Sequence, residues 1–256
     1  MTVLEIKNLV KSFGGILALR DVSFNVESNT ILGIIGPNGS GKTTFFNLVT
    51  GFLRPNSGQI IYEGKDLTWR PSYQIASLGV VRTYQMTSLF DNLTVEENIR
   101  IATHTKTKTG LLDAILKTAN TRRDRLYVEE RVNDLLSFTK LTGKEREIAS
   151  SLSYGNQRKL EIAIALAAEP RILLLDEPAA GMNRSETDDL AELVRELKSK
   201  YITVLIVDHN MKLIMDLCDR IVVLDHGVKL AEDIPKNIIS NSEVIKVYFG
   251  EELEFA

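Results

Sequence analysis

The sequence has little that would cross-link it covalently or anchor it in a lipid bilayer. Its 256 residues include a single cysteine, Cys218, which excludes an intrachain disulfide framework and a multi-cysteine zinc site. No apolar run approaches the roughly 18 residues that a membrane-spanning helix needs. Residues 1–7 also lack the apolar core of a secretory signal. We therefore expect a protein of a reducing, cytosolic compartment.

Low-complexity segments, long heptad repeats and a broadly basic surface are also missing. With 44% hydrophobic and 25% charged residues, the composition is that of a globular protein, and the length predicts one large domain or two small lobes. The net charge is −3, and it is the distribution of the charges that argues against a basic surface that binds nucleic acid. Residues 100–126, however, carry seven Lys and Arg against two Asp, whereas residues 177–256 carry nine basic and sixteen acidic residues. The basic stretch is typical of a solvated helical face; a surface for anionic lipid headgroups is the alternative.

Short apolar runs alternate with helical patterns along most of the chain. Alternation from Leu4 to Leu9 and from Leu19 to Val26 predicts two strands with a turn at residues 13–15. Continuous apolar runs predict strands that are buried on both faces, at 31–35, 172–175, 202–207 and 221–224. Because helical patterns separate these runs, the sequence predicts an α/β fold around a parallel sheet.

The middle of the chain has no strong strand signal between Thr94 and about Lys140. Residues 94–97 (Thr-Val-Glu-Glu) have the form of a capping box that opens a helix. Apolar residues at helical spacing follow in two groups: Leu111, Leu112, Ile115, Leu116 and Ala119, and then Val128, Val132, Leu135 and Leu136. This block predicts an all-helical insertion. A later helix is predicted to open at residues 185–188 and to bury Leu190, Leu193, Val194 and Leu197.

A phosphate-binding motif follows the first buried strand. Residues 36–43 match G-x-x-x-x-G-K-[ST] and precede a predicted helix from Thr43 to Val49. Glycines allow backbone N–H groups to converge on phosphate oxygens, and the helix N-terminus adds partial positive charge. Lys42 is predicted to reach the β- and γ-phosphates, and the Thr43 hydroxyl to ligate Mg²⁺. The predicted ATP-binding residues of this loop are Gly36, Pro37, Asn38, Gly39, Ser40, Gly41, Lys42, Thr43 and Thr44.

Two carboxylates follow the apolar run at 172–175. Asp176 is predicted to hold the Mg²⁺ shell, and Glu177 to polarise a water for attack on the γ-phosphate. Solvated carboxylates at a strand end are common, so the phosphate loop is what favours a catalytic role for this pair.

A third motif relates these residues to one family. Leu152-Ser153-Tyr154-Gly155-Asn156 resembles the ABC signature, usually written L-S-G-G-Q. The phosphate loop, the signature, the acidic strand and a later strand-end histidine, His209, occur in the ABC order. The whole chain therefore resembles an ABC-transporter ATPase subunit. The stretches at 152–163, 176–183, 208–215 and 244–250 are similar to the ATPases of branched-chain amino-acid importers.

The resemblance implies a fold and a division of the chain. The fold is an α/β P-loop NTPase (ABC ATPase) with a mixed sheet core, an N-terminal antiparallel β lobe and an inserted α-helical subdomain. Within a single domain over 1–256, the catalytic core with the β lobe is expected at about 1–84 and 171–256. The Q-loop, the helical subdomain and the signature are expected at about 85–170.

Roles for single side chains follow from the same resemblance. Phe13 would stack on adenine; packing within the strand lobe is the alternative. Gln85 would sense Mg²⁺, as one of its ligands with Thr43 and Asp176, and would link the ATPase to a permease. His209 would donate a hydrogen bond to the γ-phosphate during catalysis by Glu177 and Gln85.

The signature residues would act on the nucleotide that the opposite subunit binds. Ser153 and Gly155 would contact its γ-phosphate, and Ser153 is also predicted to cap the following helix. Tyr154 and Asn156 stand where the usual signature has Gly and Gln, and Asn183 stands where many ABC ATPases have the D-loop Asp. These departures are expected for the branched-chain importer group, although Asn183 lacks the charge of Asp.

The resemblance implies that the protein hydrolyses ATP to power uptake of branched-chain or other neutral amino acids. ATP and Mg²⁺ are the implied cofactors. Because the chain has one motif set, a second ABC ATPase subunit is expected, with a heterodimer favoured over a homodimer. Integral-membrane permease subunits are direct partners and a substrate-binding protein is an indirect one; the location is the inner face of the cell membrane. The alternatives are a soluble ATPase of the iron–sulfur assembly type, an importer of another solute such as urea, and a nucleotide switch without hydrolysis.

Overall fold

The computed structural model of the chain describes residues 1–83, 89–104 and 119–249. They form two compact units. The first comprises Met1–Arg82, Arg171–Ala180 and Val194–Ala256, and the second comprises Thr83–Pro170 and Gly181–Leu193. The strands of the first unit are β1 (Thr2–Phe13), β2 (Ile16–Glu27), β3 (Ile31–Ile35), β4 (Ser57–Tyr62), β5 (Lys65–Asp66), β6 (Val80–Arg82), β7 (Ile172–Asp176), β8 (Thr203–Val207), β9 (Arg220–Asp225) and β10 (Val228–Asp233).

An antiparallel sheet contains the N-terminal strands, in the order β2-β1-β4-β5. Strands β1 and β2 pair with Leu4 opposite Val26 and Ile6 opposite Phe24. These four side chains are buried, because successive side chains of a strand point to opposite faces and the apolar set takes the inner one. The two predicted strands are confirmed. Both are longer than the alternation indicates, since β1 continues through Phe13 and the turn is confined to Gly14 and Gly15.

The second sheet of this unit has the order β10-β9-β3-β8-β7-β6. Its strands are parallel apart from β10, which pairs antiparallel with β9. Every residue of β3, β7 and β8 is buried, as the continuous apolar runs predict for strands covered on both faces. The predicted mixed sheet is therefore confirmed, and the phosphate loop follows one of its central strands.

Helices of the first unit complete its core. They are α1 (Lys42–Val49), α2 (Ser72–Ser77), α7 (Met211–Leu217), α8 (Pro235–Ile238) and α9 (Ser242–Phe249). Phe45 and Phe46 of α1 are fully buried, and the Phe45 ring lies 5.2 Å from that of Phe24 in β2. Burial of such a side chain stabilises the fold by about 1.5–3 kcal/mol. The helix that begins at the phosphate loop is thereby held in the core.

The second unit contains the helices α3 (Val95–His104), α4 (Ala119–Phe138) and α5 (Tyr154–Ala167), a 3-10 turn at Ala149–Ser151, and the start of α6 (Arg184–Leu197). The predicted capping box is confirmed: the Thr94 N–H donates to Glu97 Oε2 at 2.8 Å, and the Glu97 N–H donates to Thr94 Oγ1 at 3.2 Å. The predicted apolar face of α4 is buried at Val128, Val132, Leu135 and Leu136. The other predicted group, Leu111, Leu112, Ile115 and Leu116, lies outside the described residues.

The basic stretch is described only in part, because Lys106, Lys108 and Lys117 lie outside the described residues. Arg100 pairs with Glu96 and Arg125 pairs with Glu129, each one helical turn away. Arg122 and Arg123 are exposed. Pairs at this spacing are typical of a solvated helix face. No helix in the described ranges is long and apolar enough to cross a membrane.

Candidate nucleotide-binding site

The phosphate loop runs so close to neighbouring backbone that two of its positions accept only glycine. A Cβ at Gly36 would lie 2.0 Å from the carbonyl oxygen of Leu224, and one at Gly41 would lie 2.6 Å from that of Ala18. Both residues also have positive φ, 151° and 107°, in a region that L side chains rarely adopt. Both the packing and the backbone conformation therefore require glycine at these two positions.

Hydrogen bonds from distant segments fix the loop in place. In the turn between β9 and β10, the Gly227 N–H donates to Ser40 O at 3.1 Å, while Gly227 O accepts from the Arg20 N–H at 2.7 Å. Burial raises the pKa of Tyr248 in α9 to about 12, and the nearby Gly36 backbone partly offsets that effect. Strand β2 and the turn after β9 thus hold the loop in place, and Tyr248 of α9 lies close to it.

The loop concentrates positive charge and unpaired hydrogen-bonding groups. No side chain caps the N-terminus of α1, so its first N–H groups are available to an anion. Lys42 is buried, and its ammonium donates to Gly36 O at 2.7 Å and Pro37 O at 2.9 Å. Burial lowers the pKa of Lys42 below its usual 10.5, and the nearby Glu177 and Asp176 partly offset that effect. The buried Ser40 Oγ has no hydrogen-bond partner within the described part of the chain.

A pocket of about 170 Å³ opens beside the loop. It brings together most of the predicted ATP-binding residues and two of the three predicted catalytic side chains. Its lining consists of Ala18, Asn38, Gly39, Gly41, Lys42, Thr43, Thr44, Glu177 and His209. The sequence carries no signal for Ala18, which enters the site only because β2 passes the loop.

Glu177 and His209 form a close pair in this pocket. His209 Nε2 lies 3.2 Å from Glu177 Oε1, with the Glu177 side chain 19% exposed and that of His209 53% exposed. Directly after β7, Glu177 adopts a left-handed φ of 48°, and its N–H donates to Val207 O at 2.7 Å. A partly buried carboxylate and an imidazole within hydrogen-bond distance can together bind and orient a water.

Asp208 connects the loops that carry this pair, a role that sequence analysis missed. Its Oδ2 accepts from the Ala179 N–H at 3.0 Å, and its Oδ1 accepts from the Asn210 N–H at 2.8 Å. Asn210 in turn caps α7 by accepting from the Leu213 N–H at 3.1 Å. The only sequence signal is a carboxylate next to His209, and its partner Ala179 is 29 residues away.

Asp176 is buried and forms an ion pair with Arg82. Arg82 is a second functional residue that sequence analysis missed. Asp176 is not among the residues that line the pocket, whereas Thr43 is. The described residues contain no group of three or more His, Cys, Asp and Glu side chains that could hold a metal. Mg²⁺ commonly binds through nucleotide phosphates, water and one or two protein oxygens. The Thr43 hydroxyl and the Asp176 carboxylate are hard oxygen donors of the kind that this ion requires.

Other predicted site residues are not brought to this pocket by the described structure. Phe13 ends β1, is 46% exposed, and carries the Lys11 ammonium 5.0 Å from its ring centre. Gln85 lies outside the described residues. The signature, Leu152 to Asn156, and Asn183 belong to the second unit.

Within the second unit, the signature opens helix α5. Ser153 is its N-cap and accepts from the Asn156 N–H at 3.4 Å, so the predicted capping role is confirmed. Asn183 caps α6 in the same way: its Oδ1 accepts from the Glu186 N–H, and Glu186 Oε2 accepts from the Asn183 N–H, both at 3.1 Å. The amide of Asn183 therefore has a structural function that its position in the motif order does not reveal.

A glycine-rich loop between a central parallel strand and a helix, with carboxylates after another strand of that sheet, defines a P-loop nucleoside triphosphatase. The chain belongs to the ABC transporter family, whose model matches residues 19–180. This places the mixed sheet and the antiparallel sheet in the architecture of an ABC ATPase cassette.

Individual relatives extend the similarity to nearly the whole chain. The branched-chain amino acid transport ATP-binding protein BraF of Pseudomonas aeruginosa is 44% identical over 250 residues, which cover 97% of this chain and 98% of BraF. The corresponding protein LivG of Escherichia coli K12 is 43% identical with the same coverage. Among solved structures, the ADP conformation of MJ1267, an ATP-binding cassette of an ABC transporter, has a TM-score of 0.84 at 33% identity. That match covers 98% of this chain and all of MJ1267.

Proposed function

We propose that the chain is an ATP-hydrolysing subunit that powers uptake of branched-chain or other neutral amino acids through a membrane permease. Its 43–44% identity, over 97% of its length, to two proteins named for branched-chain amino acid transport carries this proposal. The Glu177–His209 pair beside the phosphate loop supports hydrolysis rather than binding alone.

The first unit would bind the nucleotide and activate the attacking water. The Lys42 ammonium and the N–H groups at the start of α1 would hold the phosphates. Glu177 would accept a proton from the water, while His209 would donate a hydrogen bond to the γ-phosphate. Mg²⁺, held by Thr43 and Asp176, would neutralise charge on the phosphates. Gln85 as a further ligand and Phe13 as the adenine contact remain predictions of the family resemblance.

A second subunit would complete each site. The chain has one phosphate loop and one signature, so Ser153 and Gly155 would contact the nucleotide on the neighbouring ATPase. A heterodimer with a second ABC ATPase is favoured over a homodimer. Residues of about 85–170 would form the subdomain that faces the permease, and the remainder would form the catalytic core. The complex would lie on the inner face of the cell membrane and receive its amino acid from a substrate-binding protein.

Reconstitution tests the proposal directly. The chain is co-expressed with its permease and second ATPase, placed in proteoliposomes with the substrate-binding protein, and assayed for leucine uptake and phosphate release. We expect both activities from the native complex and neither from Lys42→Ala. Phosphate release without uptake of any branched-chain or other neutral amino acid would overturn the substrate assignment. Association with soluble scaffold proteins instead of a permease would favour the iron–sulfur assembly type.

A further inference from the structure

Glu186 connects two functional segments of the second unit. Its Oε2 accepts from the N–H of Asn183, and its Oε1 accepts from the N–H of Gly155 at 3.4 Å. Asn183 is the residue just before α6, whereas Gly155 lies in the first turn of α5. One carboxylate therefore caps two helix N-termini, where a negative charge is stabilised by both helix dipoles.

The backbone at Gly155 lies close to the Glu186 side chain. A Cβ there would lie 2.9 Å from Glu186 Oε1 and 3.0 Å from both Cγ and Cδ. Leu152 and Gly155 are buried, whereas Ser153 and Tyr154 between them are exposed. The carboxylate of Glu186 thus occupies the space that any larger side chain at position 155 would need.

Tyr154 lies beside the loop that leads to Asn183. Its ring lies 3.5 Å from the position that a Cβ on Gly181 would take, an ordinary van der Waals distance. Its hydroxyl accepts from Arg158 Nε at 3.1 Å, and the buried Arg158 also donates to Glu161 Oε2 at 2.7 Å. The buried ion pair between Arg158 and Glu161 fixes the ring in its place beside this loop.

We propose that Glu186 is a positioning residue that holds the signature turn and the Asn183 loop at a fixed spacing, so that both engage the neighbouring subunit's nucleotide together. The proposal rests on the proposed function, in which these segments act in trans. Loss of the carboxylate would let the two segments shift relative to each other. A displacement of about 1 Å at groups that stabilise a transition state can lower the rate by about a hundredfold.

Amide hydrogen exchange of the isolated chain tests the contact without any need for hydrolysis. In Glu186→Ala, the Gly155 and Asn183 amides both lose their acceptor, so we expect each to exchange about fivefold faster. Asp189→Asn is the matched control, because it breaks the Lys159–Asp189 pair between the same two helices at 3.0 Å and leaves Glu186 in place. Unchanged exchange at both amides in Glu186→Ala would overturn the proposed contact.

Kinetics of the assembled transporter test the positioning role. Glu186→Gln keeps the size of the side chain but offers one acceptor oxygen, so we expect kcat to fall at least tenfold. KM for ATP should stay within twofold, since the phosphate loop belongs to the other unit. Asp189→Asn should keep kcat within twofold. An equal loss of kcat in both variants, or a raised KM with native kcat, would overturn the role. An inactive native complex would instead count against the proposed function and leave the exchange result standing.

Discussion

Arg82 and Asp176 form a buried ion pair at the adjacent strands β6 and β7, with side chains 5% and 4% exposed. The other arm of the guanidinium donates to Asn47 Oδ1 at 2.6 Å, and its plane lies 5.4 Å from the ring centre of Phe46. Asn47 and Phe46 belong to α1, so this arginine connects the acidic strand end to the helix that starts at the phosphate loop.

Substitution of Arg82 by Met should therefore destabilise the chain strongly. It would leave the Asp176 carboxylate buried without a counter-charge, and removal of one partner of such a pair typically costs about 3–5 kcal/mol. Urea unfolding measures the change. Arg171→Met, which breaks an exposed pair with Glu63, is the control and should have little effect. Equal stability of the two variants would contradict the structural importance of the Arg82–Asp176 pair.

Glu177→Gln should retain ATP binding and lose turnover. The amide preserves the size of the side chain but cannot accept a proton from water, which lowers the rate by about 10²–10⁴-fold. Phosphate release by the assembled complex and equilibrium binding of ATP measure the two properties. Glu63→Gln is the control, because Glu63 has a similar left-handed φ, 46° against 48°, on an exposed turn. Native turnover in Glu177→Gln would show that Glu177 is not the general base.

Gly36→Ala should abolish nucleotide binding and lower stability by at least about 2 kcal/mol. Its Cβ would meet the Leu224 backbone, which cannot move aside without disrupting β9. Gly64→Ala is the control for backbone strain alone, since Gly64 has a φ of 74° but nothing within 4 Å of its added Cβ. That variant should lose about 1–2 kcal/mol. Equal losses in both would show that conformation, rather than packing, demands glycine at position 36.

Lys42→Met should raise the melting temperature of the nucleotide-free chain near pH 7. Burial lowers the pKa of Lys42 in the fold, so below that folded pKa the buried ammonium opposes folding. Between the folded pKa and 10.5, the unfolded chain binds the Lys42 proton better than the folded chain does. The destabilisation caused by the buried ammonium therefore decreases as the pH rises through this range. The advantage of Met should therefore shrink with increasing pH. Thermal melts at several pH values, with the exposed Lys65→Met as control, measure it. A lower melting temperature for Lys42→Met at pH 7 would mean that its hydrogen bonds to Gly36 and Pro37 outweigh desolvation.

Sequence patterns predict the parts of this chain that depend on neighbouring residues. The buried runs of β3, β7, β8 and β9, the capping box at Thr94 and the cap at Ser153 all appear in the structure, because each is encoded within a few positions. The phosphate loop and the strand-end residues Glu177 and His209 are recognisable for the same reason. Their closeness follows from the rule that loops at the carboxyl ends of parallel strands share one edge of the sheet.

Contacts between distant segments account for what the sequence does not reveal. Strand β4 has a weak alternation, and its register is set by pairing with β1 and β5. Asp208 is paired with a backbone 29 residues away, and Arg82 with a carboxylate 94 residues away. From the sequence, Glu186 is an ordinary residue in the first turn of a helix. Only the tertiary structure brings Gly155 close to its carboxylate. Such roles depend on which loops meet, and single-chain periodicity carries no information about that.

The position of β3 has a consequence for biosynthesis. This strand carries the phosphate loop, yet its two neighbours in the sheet are β8 and β9, which begin at residues 203 and 220. The loop is also hydrogen-bonded to Gly227 and lies close to Tyr248, about 190 and 210 residues downstream. At about 5–20 residues per second, the ribosome needs roughly ten seconds or more to supply these partners. During that interval the emerging chain carries an unpaired apolar strand, so the nucleotide site is among the last features to form.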